Sequence, residues 1–490
     1  MPLFRAFSLA LSLVGLAIPP RGMAQGTTPS AFSISGSARI RYEAWNWFEP
    51  AGTGGNRYGY FGVQTHANLR YDNRRWLDAR IDLQNTTLLS LPEGSNAAPP
   101  LGDLGAGASY FAVHNEPDLT RFFLNQGYVT LKSPGRPGTY LRAGRFEYID
   151  GLETMTGDAT LDWLKRTRLS SRLIGTFGFS HGGRSFDGVT GALDRARVNV
   201  TALAVHPRQG GFESEGMKEL SEVDLAALTL TLKPGVLSPR SEARVFVAYY
   251  GDDRTPGDTV IKADNRAAPA RLADSASISI PMVGGHLAKA FSVGSGTADA
   301  LLWAVVQSGE WGLLNHRAYT VAAEVGFQPR MAGNPWVRAG YYRGSGDDDP
   351  SDATHRTFVP VLTTVRQYAQ FPFYNSMNTE ALFLQLLLRP IPGKLAIRTE
   401  LHRLRLTQES DLWYGGSGAG QQTRNFGFGG RPSGGSRELA TLADVSLAWD
   451  PAPRFGAYAY LGHAFGGAVI ENIYGDTGGD LGYVEMTVRF

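Results

Sequence analysis

From Phe32 to Glu43 the chain alternates in character: Phe32, Ile34, Ala38, Ile40 and Tyr42 fall between Ser33, Ser35, Ser37, Arg39, Arg41 and Glu43. A two-residue period sends successive side chains to opposite faces of a strand, so this segment carries one apolar and one polar face. The pattern recurs in Phe61, Val63, Ala67, Leu69 and Tyr71 against Gln64, His66, Asn68, Arg70 and Asp72. It recurs again in Leu77, Ala79, Ile81 and Leu83 against Asp78, Arg80, Asp82 and Gln84. The last ten residues set Val484, Met486, Val488 and Phe490 against Tyr483, Glu485, Thr487 and Arg489. Carried along the chain, this reading predicts 18 strands, near 31–47, 57–73, 75–86, 121–132, 139–149, 184–193, 196–206, 222–233, 242–252, 277–291, 297–310, 314–328, 335–345, 379–390, 394–407, 437–450, 454–464 and 481–490. The sixth and tenth carry the weakest alternation.

The connections alternate in length. Short ones fall at 73–74, 133–138, 194–195, 234–241, 292–296, 329–334, 391–393 and 451–453, and long Gly/Asp-rich ones at 87–120, 150–183, 253–276, 346–378, 408–436 and 465–480. Short periplasmic turns opposite long extracellular loops are the habit of outer-membrane barrels, and an even strand count then predicts both termini in the periplasm. The link at 311–313 is short where a long one is expected. A charged face on nearly every strand must meet water or a polar lumen, because a charge left at the bilayer midplane costs roughly 2–4 kcal/mol. No second set of apolar strands is left to form a sandwich core, and 18 strands are expected to enclose an aqueous channel rather than a packed interior. The predicted fold is therefore all-β, an 18-stranded antiparallel transmembrane β-barrel of the outer membrane, which satisfies every backbone group without an edge.

Composition changes this picture in three places. Arg5, the apolar run Ala6–Ile18 and the small-residue site Gly22-Met23-Ala24 before Gln25 read as a cleavable signal peptide over residues 1–24, leaving 25–490 as one barrel domain. The first predicted strand begins so soon afterwards that no plug domain or periplasmic repeat fits between. No stretch supplies the roughly 20 apolar residues of a membrane-spanning helix. The absence of cysteine excludes a disulfide framework and a thiolate metal site. Of 47 basic residues only seven are lysine, so arginine carries nearly all the positive charge while the formal net charge is only +2. Neither that balance nor an exported compartment suits nucleic-acid binding.

With the apolar face turned to lipid, Arg39, Arg41, Arg70, Arg80, Arg142, Arg244, Arg338, Arg398 and Arg489 point inward, interleaved with Glu43, Asp78, Asp82, Asp299, Glu324, Glu400, Asp444 and Glu485. A guanidinium is a planar, permanent cation matched to carboxylates, so such a lumen lowers the barrier for an anion. The competing reading is a ladder of arginines and carboxylates that merely neutralise one another. Trp45, Trp47, Tyr60 and Tyr342 are expected to serve as interfacial girdle residues rather than sugar-stacking platforms.

The residues Leu141-Arg142-Ala143-Gly144-Arg145, Arg184-Ser185-Phe186-Asp187-Gly188-Val189, Tyr341-Tyr342-Arg343-Gly344-Ser345-Gly346-Asp347, Asp349-Pro350-Ser351-Asp352, Thr357-Phe358, Tyr374-Asn375-Ser376-Met377-Asn378, Glu400-Leu401-His402-Arg403-Leu404 and Asp411-Leu412-Trp413-Tyr414-Gly415 resemble those of the alginate export family. The resemblance spans the chain from about residue 31 to its end. It implies an 18-stranded porin passing a uronate polysaccharide or oligosaccharide, with outer-membrane lipid and periplasmic export machinery as partners and no cofactor. It makes Arg142 and Arg145 the first constriction candidates, followed by Asp187, Arg338, Arg343 and Arg398, with Glu400 beside them; Arg145 shares a face with Arg142 only if a bulge intervenes. The 150–183 connection, with Arg166, Arg168 and Arg172, departs from the family's shorter link. An alternative is a substrate-specific uptake porin for small organic anions or sugars, and in either case a monomer or a weakly associating pore.

Gly178-Phe179-Ser180-His181-Gly182 matches the G-x-S-x-G nucleophile elbow, but its region offers no credible helix to complete strand, turn and helix, so it reads as a glycine-rich pore loop and the chain as no enzyme. Asp347, Asp349 and Asp352 are weak calcium candidates in what is more simply an exposed acidic turn.

Overall fold

The computed structural model describes residues 31–48, 57–93, 105–213, 218–254, 262–363, 370–416, 419 and 428–490. The predicted signal peptide lies outside them. The barrel strands are β1 Phe32–Asn46, β2 Arg57–Asp72, β3 Leu77–Leu89, β4 Leu119–Lys132, β5 Thr139–Phe146, β6 Phe186–Asp194, β7 Val198–Pro207, β8 Val223–Leu232, β9 Ser241–Asp252, β10 Ile278–Val293, β11 Gly296–Trp311, β12 Leu314–Gln328, β13 Trp336–Gly344, β14 Thr379–Ile391, β15 Leu395–Leu406, β16 Glu438–Ala452, β17 Phe455–Gly466 and β18 Gly478–Arg489. Each pairs antiparallel with its neighbours, and β18 closes on β1 with Ala38 opposite Val488 and Tyr42 opposite Val484. The 18-stranded antiparallel barrel expected from the alternation is present. No described helix is long and apolar enough to cross a membrane.

The alternation sorts the wall as its period requires. Ile34, Phe122, Leu287, Val306, Val325, Leu384 and Leu401 are exposed on the outside, while Arg41, Glu43, Asp82, Asp299, Glu324, Arg338 and Glu400 are buried on the inside. An apolar band of this extent on a folded surface marks contact with lipid rather than water. The tight connection at Gly312-Leu313 is real: Gly312 takes the left-handed conformation at φ +61°, and Lys262 and Asp274 pack where its side chain would be.

Two expectations give way at the interior. The space inside the ring is largely filled rather than open, because the connection L3 (residues 147–185) and part of L7 (residues 345–378) fold inward. L3 contains a helix, Ala159–Leu164, continued by a π-helical turn, Lys165–Leu169; Asp158 caps it by accepting from the Thr160 and Leu161 amides. Trp45, Trp47, Tyr60 and Tyr342 are not girdle residues but are buried inside. Trp45, Trp47 and Phe48 pack edge-on against Phe371 and Phe373 of L7, since an inward aromatic at a strand end meets the returning loop before it meets lipid.

Leu384, exposed on the outer face near the middle of β14, tests which side faces hydrocarbon. Leu384→Arg is expected to destabilise the barrel by about 2–4 kcal/mol in urea titrations in lipid vesicles.

Candidate functional site

The interior is organised by L3. Asp158 at its lowest point accepts from Arg240 Nε at 2.6 Å, and Thr160 accepts from Gln328 Nε2 at 3.2 Å, both partners lying at the short-turn end. On the return path Lys165 Nζ meets Glu242 at 2.6 Å. One turn on, Arg168 Nε donates to Glu324 Oε2 at 2.9 Å and Arg172 Nη2 to Glu324 Oε1 at 3.3 Å. Arg338 Nη1 reaches the same carboxylate at 3.2 Å and pairs with Asp299 through Nη2. One buried carboxylate thus holds three guanidiniums, two from L3 and one from the wall.

The far end of L3 is held through its backbone. Arg39 donates to the Gly178 and Ser180 carbonyls, each at 2.7 Å, and Arg41 to the Phe179 carbonyl at 2.8 Å. Gln64, Gln84 and Thr86 all donate to the His181 carbonyl. L3 then meets L7: the Gly175 amide donates to the Leu362 carbonyl, the Leu362 amide to the Leu173 carbonyl, and Arg184 Nη1 to the Leu362 carbonyl at 2.9 Å. The G-x-S-x-G segment is therefore a docked loop tip. The Ser180 hydroxyl donates to the Phe177 carbonyl and accepts from the Gly183 amide, and no helix follows it.

The expected lining residues divide into three groups. Arg39, Arg41, Arg244, Arg338, Arg398 and Glu400 face inward: Arg39, Arg41, Arg244 and Glu400 contact L3, with Arg244 holding Glu153 at 2.6 Å and Glu400 3.9 Å from Arg168, whereas Arg338 and Arg398 pair with wall carboxylates, Arg398 Nε standing 3.5 Å from Glu400 Oε2. Arg70, Arg80 and Arg142 form a more open patch on the inner face near the short-turn end of β2 to β5. Arg70 lies opposite Arg80, Arg80 opposite Tyr128 and Thr130 opposite Arg142. Arg70 pairs with Asp72 and Asp78, and Arg80 with Asp82 and Asn68. Arg142 sits 4.1 Å over the Tyr128 ring and donates to Thr130 Oγ1 at 3.0 Å, with no ion-pair partner among the described residues.

Arg145, Asp187 and Arg343 form the third group, and the expectation that they line the pore is corrected. Arg145 and Asp187 are register partners next to Phe146 and Phe186, which face inward, so the pleat turns them outward with exposed Leu141 and Val189. There Asp187 joins Arg145 at 2.8 Å to Arg208 at 2.6 Å. The β3–β4 ladder does shift register, between Asp82 and Leu83, but β5 itself runs in unbroken register and keeps Arg142 and Arg145 on opposite faces. Arg343 likewise alternates with inward Tyr342 and pairs with Glu380 outside.

The calcium expectation also meets a competing cation. Arg356 reaches Asp347 at 3.6 Å, Asp348 at 3.2 Å and Asp352 at 2.8 Å, while Asp349 accepts from Ser351. A guanidinium already supplies the charge that the ion would bring. What the sequence reading missed as pins are Lys165, Arg168 and Arg172. Lys165 and Arg168 lie in the π-helical turn and Arg172 just beyond its extended cap at Ser170, so no single helical face carries all three; the available signal was only the cluster of cations between residues 165 and 172.

These features define an outer-membrane β-barrel channel with an inward-folded constriction. The alginate export family profile matches residues 31–483, and the chain belongs to that family. No curated protein matches it. Among solved structures, OccK9 (OpdG) of Pseudomonas aeruginosa is similar at 13% identity and TM-score 0.58, covering 94% of this chain and 98% of that one. Acinetobacter baumannii OccAB2 is similar at 10% identity and TM-score 0.57, covering 95% and 99%. Pseudomonas aeruginosa OpdK with vanillate is similar at 9% identity and TM-score 0.54, covering 93% and 98%. At these identities the likeness is one of fold.

Glu324→Gln strips charge from a buried three-arginine contact, and breaking such a contact costs about 3–5 kcal/mol. L3 should become cleavable by protease in the folded barrel, with a rise in single-channel conductance. In the long loops, burial pushes Asp411 up to about 6, and burial together with the neighbouring Asp411 pushes Asp347 up to about 6. Between about 6 and about 4 the folded loops then hold protons that unfolded loops release, so their packing gains stability as pH falls through that window, by on the order of 1–2 kcal/mol. Burial lowers His355 to about 3, and it works in the opposite sense. Asp411→Asn isolates the carboxylate's part: hydrogen exchange at the Asp347 and Leu412 amides, both bonded to Asp411, should lose the extra acid protection that the unmodified protein shows.

Proposed function

We propose that the protein is a passive channel, rather than an enzyme, for anionic, carboxylate-bearing solutes, with uronate-type saccharides as its class. The long loops lie at the cell surface and both termini in the periplasm; residues 1–24 direct export. The observation that carries this reading is Arg142. It is an inward guanidinium seated on an aromatic ring, without a carboxylate of its own among the described residues, beside Arg70 and Arg80, which are more exposed than the arginines held by L3. A cation whose charge is not already answered by the protein offers its field to a passing anion, while the paired arginines around it keep binding weak enough for release. Family membership supports the uronate class. Direction follows the gradient and the periplasmic partners.

One observation favours a second reading, passage of small organic anions. L3 crosses the interior to reach wall residues on both sides of it, and a similar barrel has been seen with vanillate, a small carboxylate. The two readings separate in a planar bilayer. Under a KCl gradient the reversal potential should report anion selectivity, falling several-fold in Arg142→Ala. Added oligouronate should block the current if saccharides pass, whereas block by vanillate alone selects the small-anion reading. Cation selectivity insensitive to Arg142→Ala would overturn both.

A further inference from the structure

On the inner face of β15 and β16, Glu400 and Asp444 are direct cross-strand partners. His402 follows Glu400 on the same face. Like charges placed directly opposite each other in a sheet repel, so this pair requires a compensating cation. The side chains are enclosed: Arg168 of L3 approaches from the lumen, 3.9 Å from Glu400 Oε1, and Tyr460 donates to Asp444 Oδ2 at 3.1 Å. One ligand atom from each of Glu400, His402 and Asp444 lies within 4.8 Å of the other two.

A second observation is independent of that clustering. His402 is 0% exposed, yet neither of its ring nitrogens has a hydrogen-bond partner, and Glu400 Oε1 has none either. Gln385, opposite Glu400 on β14, and the Tyr374 hydroxyl are also buried with polar atoms unpartnered. Buried polar groups are rarely left unpaired, and so dense a group of unmade contacts marks a place built around an occupant. Arg398 and Arg168 reduce the local negative charge, but at 3.5 and 3.9 Å they leave these lone pairs unused.

We propose that Glu400, His402 and Asp444 bind a divalent transition-metal ion of the zinc class, with Gln385 Oε1 as a further donor. One imidazole nitrogen with two carboxylates is a donor set such ions accept, whereas magnesium and calcium favour oxygen alone. The surroundings hold the ligands ready: the Phe383 ring stacks on His402 at 5.8 Å, Arg398 sits on the second oxygen of Glu400, and Tyr460 orients Asp444. A bound ion ties β15 to β16 and adds positive charge beneath the L3 arginines, at the constriction.

The test uses the full refolded barrel in detergent. Added Co²⁺ should bind at one equivalent with visible d–d absorption, be displaced by Zn²⁺, and the Zn²⁺ form should melt higher than the protein in EDTA or Mg²⁺. His402→Ala and Asp444→Asn should each weaken binding by more than about 10-fold, whereas His206→Ala, which removes an exposed histidine beside Asp224, should leave it unchanged. His402→Gln, checked for the heat-shifted gel mobility of a closed barrel, replaces His402→Ala if the smaller side chain prevents folding. Absence of a Co²⁺ band in the unmodified protein, or a band that survives both His402 and Asp444 substitution, overturns the proposal. A band lost in His206→Ala also overturns it.

Discussion

Closure of the sheet between β1 and β18 is the constraint on which everything else in this molecule depends. In hydrocarbon an unpaired strand edge has no water to turn to, so every strand must find a partner on both sides. Once the ring is closed, the pleat leaves only two destinations for a side chain, lipid or lumen. The alternating sequence therefore sends Leu384 and Leu401 out and Gln385, Glu400 and His402 in. A concentration of charge inside is the direct consequence, and it creates the demand for partners that L3 answers.

L3 answers it with two kinds of contact. Its helical stretch offers Lys165 and Arg168, and the residues just after it Arg172, to wall carboxylates Glu242 and Glu324. Its tip offers carbonyls to wall cations Arg39 and Arg41. The two are complementary, since a wall carrying both signs can be satisfied only by a loop that presents donors in one stretch and acceptors in another. Buried ion pairs of this type add little net stability but are costly to break singly, so they specify where L3 lies more than they hold the barrel closed. The pore lining is consequently less basic than the count of arginines suggests, and Arg142 stands apart because L3 passes it by.

Much of this was legible in the alternation. The strand positions, the two classes of connection and the inward set at Arg39, Arg41, Arg70, Arg80, Arg142, Arg244, Arg338, Arg398 and Glu400 all follow from a period of two, a local property that adjacent residues carry between them. Arg145 and Asp187 were misassigned because the resemblance argued for their kind of residue while the pleat argued against their parity, and the pleat prevailed. Arg343 failed for the same reason.

The sequence alone determined the ring and its two faces, because backbone pairing and side-chain alternation are repeated at every strand and leave few alternatives. Only the tertiary structure decided what fills the ring. Whether residues 147–185 project outward or fold inward depends on a carboxylate at 324 meeting cations at 168 and 172, more than 150 positions away, a match that no local period encodes. The same holds for Trp45, Trp47, Tyr60 and Tyr342, whose partners come from loops distant in the chain. The meeting of Glu400, His402 and Asp444 also needed the register of two strands separated by a long connection. Long-range complementarity between charged surfaces becomes visible only once closure has brought them face to face.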